Sequence, residues 1–257
     1  MLFSVLASGS KGNACYVETD NTKILIDAGI SCRELLKRLD IEGVLLNDLD
    51  AIILTHEHQD HTKGAGPISR RFNVPVYSNN PTMQGSNRTL GKIETHVAIE
   101  TGNSLSIGDL EVETFSKSHD AADPIGLVIS SNHSRLGILT DVGECTDIIE
   151  DHLKDCTAVL LEFNHDIDML DNGPYPFYLK KRIKSSRGHL SNLEAAEFLK
   201  RLAHDKLDHI ILAHLSEINN SPEKAILEAK KALMETGMER VAVHVSYQDY
   251  PCPLMEI

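Results

Sequence analysis

An apolar run, Ala51-Ile52-Ile53-Leu54, opens directly onto Thr55-His56-Glu57-His58-Gln59-Asp60-His61. Three imidazoles and a carboxylate within six residues cannot be buried without partners, and the apolar tetrapeptide before them is poorly left in water. Both demands are met if the run is an interior strand and the polar residues form the loop at its C-terminal end, where open α/β sheets place chemistry. With 13 histidines in the chain, random placement would give His-x-His-x-Asp-His in roughly one such chain in four hundred, so unrelated surface histidines explain it poorly. Imidazole nitrogen and carboxylate oxygen are the ligands that suit zinc and its first-row neighbours. The spacing serves two ions. His56 and His58 point one way from an extended turn, and Asp60 and His61 follow the bend towards a second position. Glu57, between two ligands, is expected to face outward.

Further β-branched or alternating runs bounded by Gly, Asn or Asp predict strands over 3–7, 15–18, 23–27, 74–78, 104–107, 110–115, 125–130, 135–139, 158–162, 209–212 and 240–245. Gly108-Asp109 joins two of them as a hairpin, and His133 falls at the tip of another. Helices are predicted over 31–39, where Ser31 and Glu34 make a capping box, and over 192–203, with Leu193, Ala196, Leu199 and Leu202 on one face. A third runs over 221–236, with Pro222 in its first turn and Gly237 as its stop. Apolar content of 41% supplies a core, and the absence of Trp makes that core aliphatic. Many strands with interspersed amphipathic helices suggest helices packed outside two sheets. No linker or repeat divides the chain, so 1–257 is read as one domain.

The five cysteines are scattered and contain no C-x-x-C pair, which predicts free thiols in a reducing compartment rather than thiolate zinc. No basic start followed by a long apolar stretch is visible, so a cytoplasmic protein without membrane contact is expected. The formal net charge of −13 argues against a nucleic-acid partner, because phosphate backbones favour basic surfaces. Bound divalent ions offset part of it. The segment Lys180-Lys181-Arg182-Ile183-Lys184-Ser185-Ser186-Arg187 carries five basic residues and no acid. It reads either as a solvated turn or as a phosphate clamp.

The histidine run resembles the signature of the metallo-β-lactamase superfamily. Other pieces stand in that superfamily's order: Asp27 after Lys23-Ile24-Leu25-Ile26, His119 in Ser118-His119-Asp120, Asp141 after Gly137-Ile138-Leu139-Thr140, and His214 after Ile210-Ile211-Leu212-Ala213. The opening Ala7-Ser8-Gly9-Ser10-Lys11-Gly12-Asn13 and the later Gly188-His189-Leu190-Ser191-Asn192 narrow the likeness to the YycJ/WalJ (VicX-like) branch, near ribonuclease Z.

The resemblance implies an α/β (α+β) fold, the four-layer αββα sandwich. It implies two divalent ions, Zn²⁺ or Mn²⁺ with iron also allowed, one on His56, His58 and His119 and the other on Asp60, His61 and His214, with Asp141 bridging. It implies a phosphodiesterase in which a hydroxide held between the ions attacks phosphorus, Asp60 is indispensable and His189 assists the leaving group. Ser8, Ser10, Asn13, Ser185, Ser186 and Arg187 are candidates for holding phosphate. Asp27, Glu162 and His165 are candidates for supporting the ligands from behind, with Asp27 orienting His56 and His58.

Only 21 residues separate His119 from Asp141, and 72 lie between Asp141 and His214. Neither interval holds the tRNA-binding arm of ribonuclease Z or the inserted domain of the larger RNA nucleases. The YycJ/WalJ likeness implies instead a 5′-to-3′ exonuclease acting on DNA in preference to RNA, and no obligate protein partner is expected. A hydrolase of small or cyclic phosphodiesters, or an accessory protein using the fold as scaffold, are the alternatives.

Overall fold

The computed structural model describes residues 1–44 and 48–257. In the first sheet, β1 (Leu2–Ala7), β2 (Ala14–Glu18) and β3 (Lys23–Ile26) form an antiparallel meander. It continues in parallel through β4 (Ala51–Ile53), β5 (Val76–Ser78) and β6 (His96–Ala98). In the second sheet, β7 (Ser104–Ile107), β8 (Leu110–Ser116), β9 (Ile125–Ser131) and β10 (Ser134–Leu139) are antiparallel. β11 (Ala158–Glu162), β12 (His209–Ala213) and β13 (Ala242–Val245) then add in parallel. The C-terminal β14 (Met255–Glu256) returns to β1. The two sheets thus share one plan, and in each a single strand, β3 or β10, has an antiparallel neighbour on one side and a parallel one on the other.

Alternation of side chains along each strand gives the layers. Ile24 and Ile26 of β3 join Phe3, Val112, Ile125 and Ile211 between the sheets, while Leu25 faces the other way. That outer face of the first sheet is covered by α1 (Cys32–Ile41), α3 (Ala65–Phe72) and α4 (Asn80–Leu90). The outer face of the second is covered by α5 (Asp147–Leu153), α8 (Asn192–Leu202) and α9 (Pro222–Glu235). The result is the expected four-layer αββα sandwich. The interior parallel strands β11 and β12 are buried on both faces, which is why they read as unbroken apolar runs.

The short helices α2 (Gln59–Thr62), α6 (Ile167–Asn172) and α7 (Phe177–Ile183) complete the element order. At α1 the Ser31 side chain accepts from the Glu34 amide, but the Glu34 carboxylate turns to Arg38, so only half of the expected capping box forms. The complete box is on α8, between Ser191 and Glu194. Leu193, expected on the buried face of that helix, is exposed. The face is instead set by Ala195, Phe198, Leu199 and Leu202, which pack towards α5 and α9. Neither β6 nor β14 was expected; both are short and lie at the sheet margin.

Candidate metal centre

The C-terminal ends of β3, β4, β10, β11 and β12 deliver Asp27, Thr55 to His61, Asp141, Glu162 and His214 to one edge between the sheets. Three of these residues leave their strands in the left-handed region: Asp27 (φ 57°), Asp141 (φ 53°) and His214 (φ 55°). For residues other than glycine this costs about 1–2 kcal/mol each, and it recurs where a site over-determines the backbone. Each turn throws a polar side chain across the end of its own strand.

The ligand loop is clamped from below. The Asp60 carbonyl accepts from the Asn13 amide at 2.7 Å, the His61 carbonyl from the Ala28 amide at 2.7 Å, and the Ala28 carbonyl from the Gly64 amide at 2.6 Å. Gly29 lies so close that a Cβ there would sit 1.6 Å from the Asp60 carbonyl oxygen.

Five imidazoles gather round Asp141, and a sixth, His58, joins them beside His56 and His119. His56 Nε2 lies 3.1 Å from His58 Nδ1, and the His119 ring centroid is 5.2 Å from both of their rings. His61 Nε2 is 3.0 Å from Asp141 Oδ2; His214 Nε2 and His119 Nε2 are 3.5 and 3.9 Å from Oδ1. The His189 ring stacks on that of His214 at 5.2 Å. Donor atoms within 4.8 Å of one another form four triplets: His56/His58/His119, His56/His61/Asp141, His119/Asp141/His189 and Glu162/His189/His214. Asp60 belongs to none of them, although its Oδ2 is 3.7 Å from His61 Nε2.

The chemistry of the cluster suits a cation. Asp141 Oδ2 and His214 Nε2 are buried and have no hydrogen-bond partner of good geometry, a costly state for polar atoms that carry lone pairs. In the metal-free cluster the rings divide. Burial holds His56 well below the usual imidazole range, with the neighbouring His61 adding to the effect, and lowers His119 to about 4. Burial also opposes charge on His61 and His214, but Asp27 and Asp141 raise His61 to about 10, and Asp141 with Glu162 raises His214 to about 9. Burial of Asp141 is outweighed by the rings of His214 and His61, which hold it well below the carboxylate range.

Behind the cluster, Asp27 accepts from the Thr55 amide (2.9 Å), the Thr55 hydroxyl (2.8 Å) and His61 Nδ1 (2.7 Å). The expectation that it orients His56 and His58 is therefore corrected. It grips His61 directly and reaches His56 only through the Thr55 hydroxyl, 3.0 Å from His56 Nδ1. Glu162 Oε1 lies 2.7 Å from His189 Nδ1 and 3.3 Å from His214 Nδ1, while Oε2 accepts from the Val142 amide at 2.7 Å. Burial favours a protonated Glu162, but the His189 and His214 rings hold it at about 2. His165 is buried with an unpartnered Nδ1 and contributes its backbone, not its ring, by accepting from the Asn192 amide.

Glu57 does not face outward. Its Oε1 accepts from the Ala122 amide at 2.8 Å and ties the loop after His119 to the histidine run. Ser8 and Asn13, candidates for holding phosphate, are both buried and engaged. The Ser8 hydroxyl accepts from the His214 amide at 2.7 Å, and Asn13 bonds Gly9 while its Nδ2 lies 3.0 Å from His61 Nε2. Ser10, Ser185, Ser186 and Arg187 are exposed. The basic segment is tied down beside the site: Arg182 pairs with Asp120, the Ser118 hydroxyl donates to the Ser186 carbonyl, and Arg187 Nε donates to the His119 carbonyl.

Three participants carried no signal strong enough to single them out. Thr55 links Asp27 to His56. Asn164 Nδ2 donates to the His214 carbonyl at 2.9 Å. Lys117 is buried beneath the cluster and its ammonium donates to the Thr140 carbonyl, next to Asp141; only its position two residues before His119, just past the end of β8, would have found it. A cavity of about 150 Å³ opens beside the cluster, lined in part by Ser10, Arg182, His189 and His214. No helix among the described residues is long and apolar enough to cross a membrane.

The profile of a family described as "Beta-lactamase superfamily domain" matches residues 22–215. The chain is 40% identical to a protein named exodeoxyribonuclease YycJ from Bacillus anthracis, over 91% of this chain and 90% of that one. It is 36% identical to exodeoxyribonuclease WalJ of Streptococcus pneumoniae, over 99% and 97%. Among solved structures, the metallo-β-lactamase fold protein YhfI of Bacillus subtilis superposes with a TM-score of 0.73 at 16% identity, covering 98% of this chain and 99% of that one. The short form of human tRNase Z gives 0.65 at 16% identity, over 84% and 93%.

Proposed function

Since the chain belongs to the beta-lactamase superfamily domain family, we propose that it is a metal-dependent phosphodiesterase that degrades DNA as an exonuclease, starting from the 5′ end. The observation that carries the reading is the gathering of six imidazoles and one buried aspartate at the strand ends. The names of the two relatives that match most of the chain support the choice of DNA.

His56, His58 and His119 would hold one ion, and Asp60, His61 and His214 the other, with Asp141 between them. Two divalent ions bound there supply Lewis acidity towards a phosphoryl oxygen and towards water. The chain's own residues do the rest. Asp27 fixes the orientation of His61, and the Ser8 hydroxyl and Asn164 fix the backbone that carries His214. Glu162, ionised at neutral pH, engages His189 Nδ1 and leaves Nε2 as the nitrogen that passes a proton to the departing oxygen. His189 lines the cavity and is 18% exposed, so a phosphodiester can reach it.

The test is degradation of single- and double-stranded DNA and RNA, labelled at either end, by protein loaded with Mn²⁺ or Zn²⁺. Stepwise release from the 5′ end of DNA, abolished by Asp60→Ala, is expected. Loaded protein that leaves every DNA linkage intact would overturn the proposal.

A further inference from the structure

Helix α7 runs beside the metal centre and has no buried residue. Its first two side chains, Phe177 and Tyr178, are 81% and 74% exposed in a chain with only six Phe and six Tyr. A fold short of aromatics gains nothing from leaving two of them adjacent in water. Lys180, Lys181 and Lys184 follow Phe177 at three, four and seven residues, the spacing of one helix face. Together with Ser185 and Asp171 these four side chains line an open trough of about 640 Å³.

The other side of the same helix presents Leu179, Arg182 and Ile183 to the cavity that His189 and His214 also line. The helix is therefore the wall between the trough and the cluster. The segment 177–187, made of the helix and the four residues after it, carries five basic residues and no acid, in a chain whose net charge is −13. Lys184 pairs with Asp171, and Lys181 forms no ion pair among the described residues.

We propose that α7 is the track on which a single strand of nucleic acid lies as it enters or leaves the site, its bases stacking on Phe177 and Tyr178 and its phosphates facing Lys180, Lys181 and Lys184. The inference rests on the DNA-degrading reading above and adds the surface along which one strand of the substrate runs. Stacked aromatics beside a row of cations bind single strands without regard to sequence, because every base has a π face. The local positive charge also answers the objection raised by the acidic whole, since counterion release depends on the groups that touch phosphate.

The experiment uses the full, metal-loaded chain and an oligothymidylate with phosphorothioate linkages, with binding read by fluorescence anisotropy. Phe177→Ala and Tyr178→Ala are each expected to weaken binding roughly 5- to 100-fold, whereas Tyr178→Phe, which keeps the ring, stays within about twofold. Lys180→Gln/Lys181→Gln should flatten the dependence of log Kd on log salt by about 1.4. Leu227→Ala, an exposed apolar residue on α9, should leave binding unchanged. With no Trp in the chain, quenching of tyrosine emission on binding gives a second signal, reduced in Tyr178→Phe.

Binding of Phe177→Ala/Tyr178→Ala within about twofold of the wild type would overturn the track. So would capture of the wild type, but not of that variant, by anionic phospholipid vesicles in place of the oligonucleotide, or a dimer that the variant loses. A wild type that binds the strand through these side chains yet cleaves no phosphodiester would keep the track and reject the nuclease reading. One that cleaves DNA with α7 irrelevant to binding would do the reverse.

Discussion

Asp27 and Asp141 hold the two nitrogens of one imidazole: Asp27 Oδ2 is 2.7 Å from His61 Nδ1, and Asp141 Oδ2 is 3.0 Å from His61 Nε2. The two aspartates end equivalent strands, β3 and β10, the points in their sheets where antiparallel pairing gives way to parallel. Both adopt the left-handed backbone that turns the carboxylate over the strand end. Asp27 is thus placed to set the ring that Asp141 meets.

Asp27→Asn should keep the fold and weaken metal binding about 10- to 100-fold, because the group that orients a ligand is lost while the ligand remains. Competition against a chelator of known affinity measures this. Unchanged affinity would show that Asp27 serves only the Thr55 backbone.

Metal loading should release protons. His61 is raised to about 10 and His214 to about 9, so both carry a proton at pH 7 in the metal-free protein, and both must lose it to ligate. About two protons per molecule should therefore appear on loading at pH 7. The sign follows: affinity climbs as pH rises through 7 and 8 and levels off once about 10 is passed. Calorimetry in buffers of different ionisation enthalpy counts the protons, and a count near zero at pH 7 would contradict the assignment of these rings as ligands.

His189→Ala should lower turnover by about 10²- to 10⁴-fold with little change in bound metal, and Glu162→Gln should lower turnover as well. Glu162→Gln can still accept from the Val142 amide, so its effect is confined to the rings. Metal analysis separates the roles of His189, whose donor atoms also fall within two of the triplets. Loss of an ion in His189→Ala would make it a ligand instead.

Gly29→Ala tests the clamp under the ligand loop. A Cβ placed 1.6 Å from the Asp60 carbonyl oxygen meets backbone that cannot swing aside. The substitution should cost about 3 kcal/mol or more, read from urea unfolding, and should loosen Asp60 and His61. A stability loss within about 0.5 kcal/mol would mean that the loop relaxes freely.

The strands were legible because interior parallel strands must be apolar on both faces, as Leu25 and Ile26 or Leu160 and Leu161 show. The residues of the cluster were legible because strand ends are where polar side chains can leave an apolar layer. Less could be read where tertiary contact overrides local pattern. Helix α4, Asn79-capped and containing Gly85, has no apolar period to announce it. Helix α7 buries nothing and so leaves no stripe. Leu193 looked like a core residue by spacing, but the turn of α8 puts Phe198 and Ala195 inward instead. The partners of Glu57, Ser8 and Asn13 lie 65, 206 and 48 residues away, and no local rule reaches that far.

The loop after β4 belongs to one sheet, and Asp141, Glu162 and His214 belong to the other. Whatever fills the gap between them therefore rivets the two halves of the sandwich along their shared margin. Emptying it would free that margin while the oily seam farther in still holds, so the protein should come apart from its working end first.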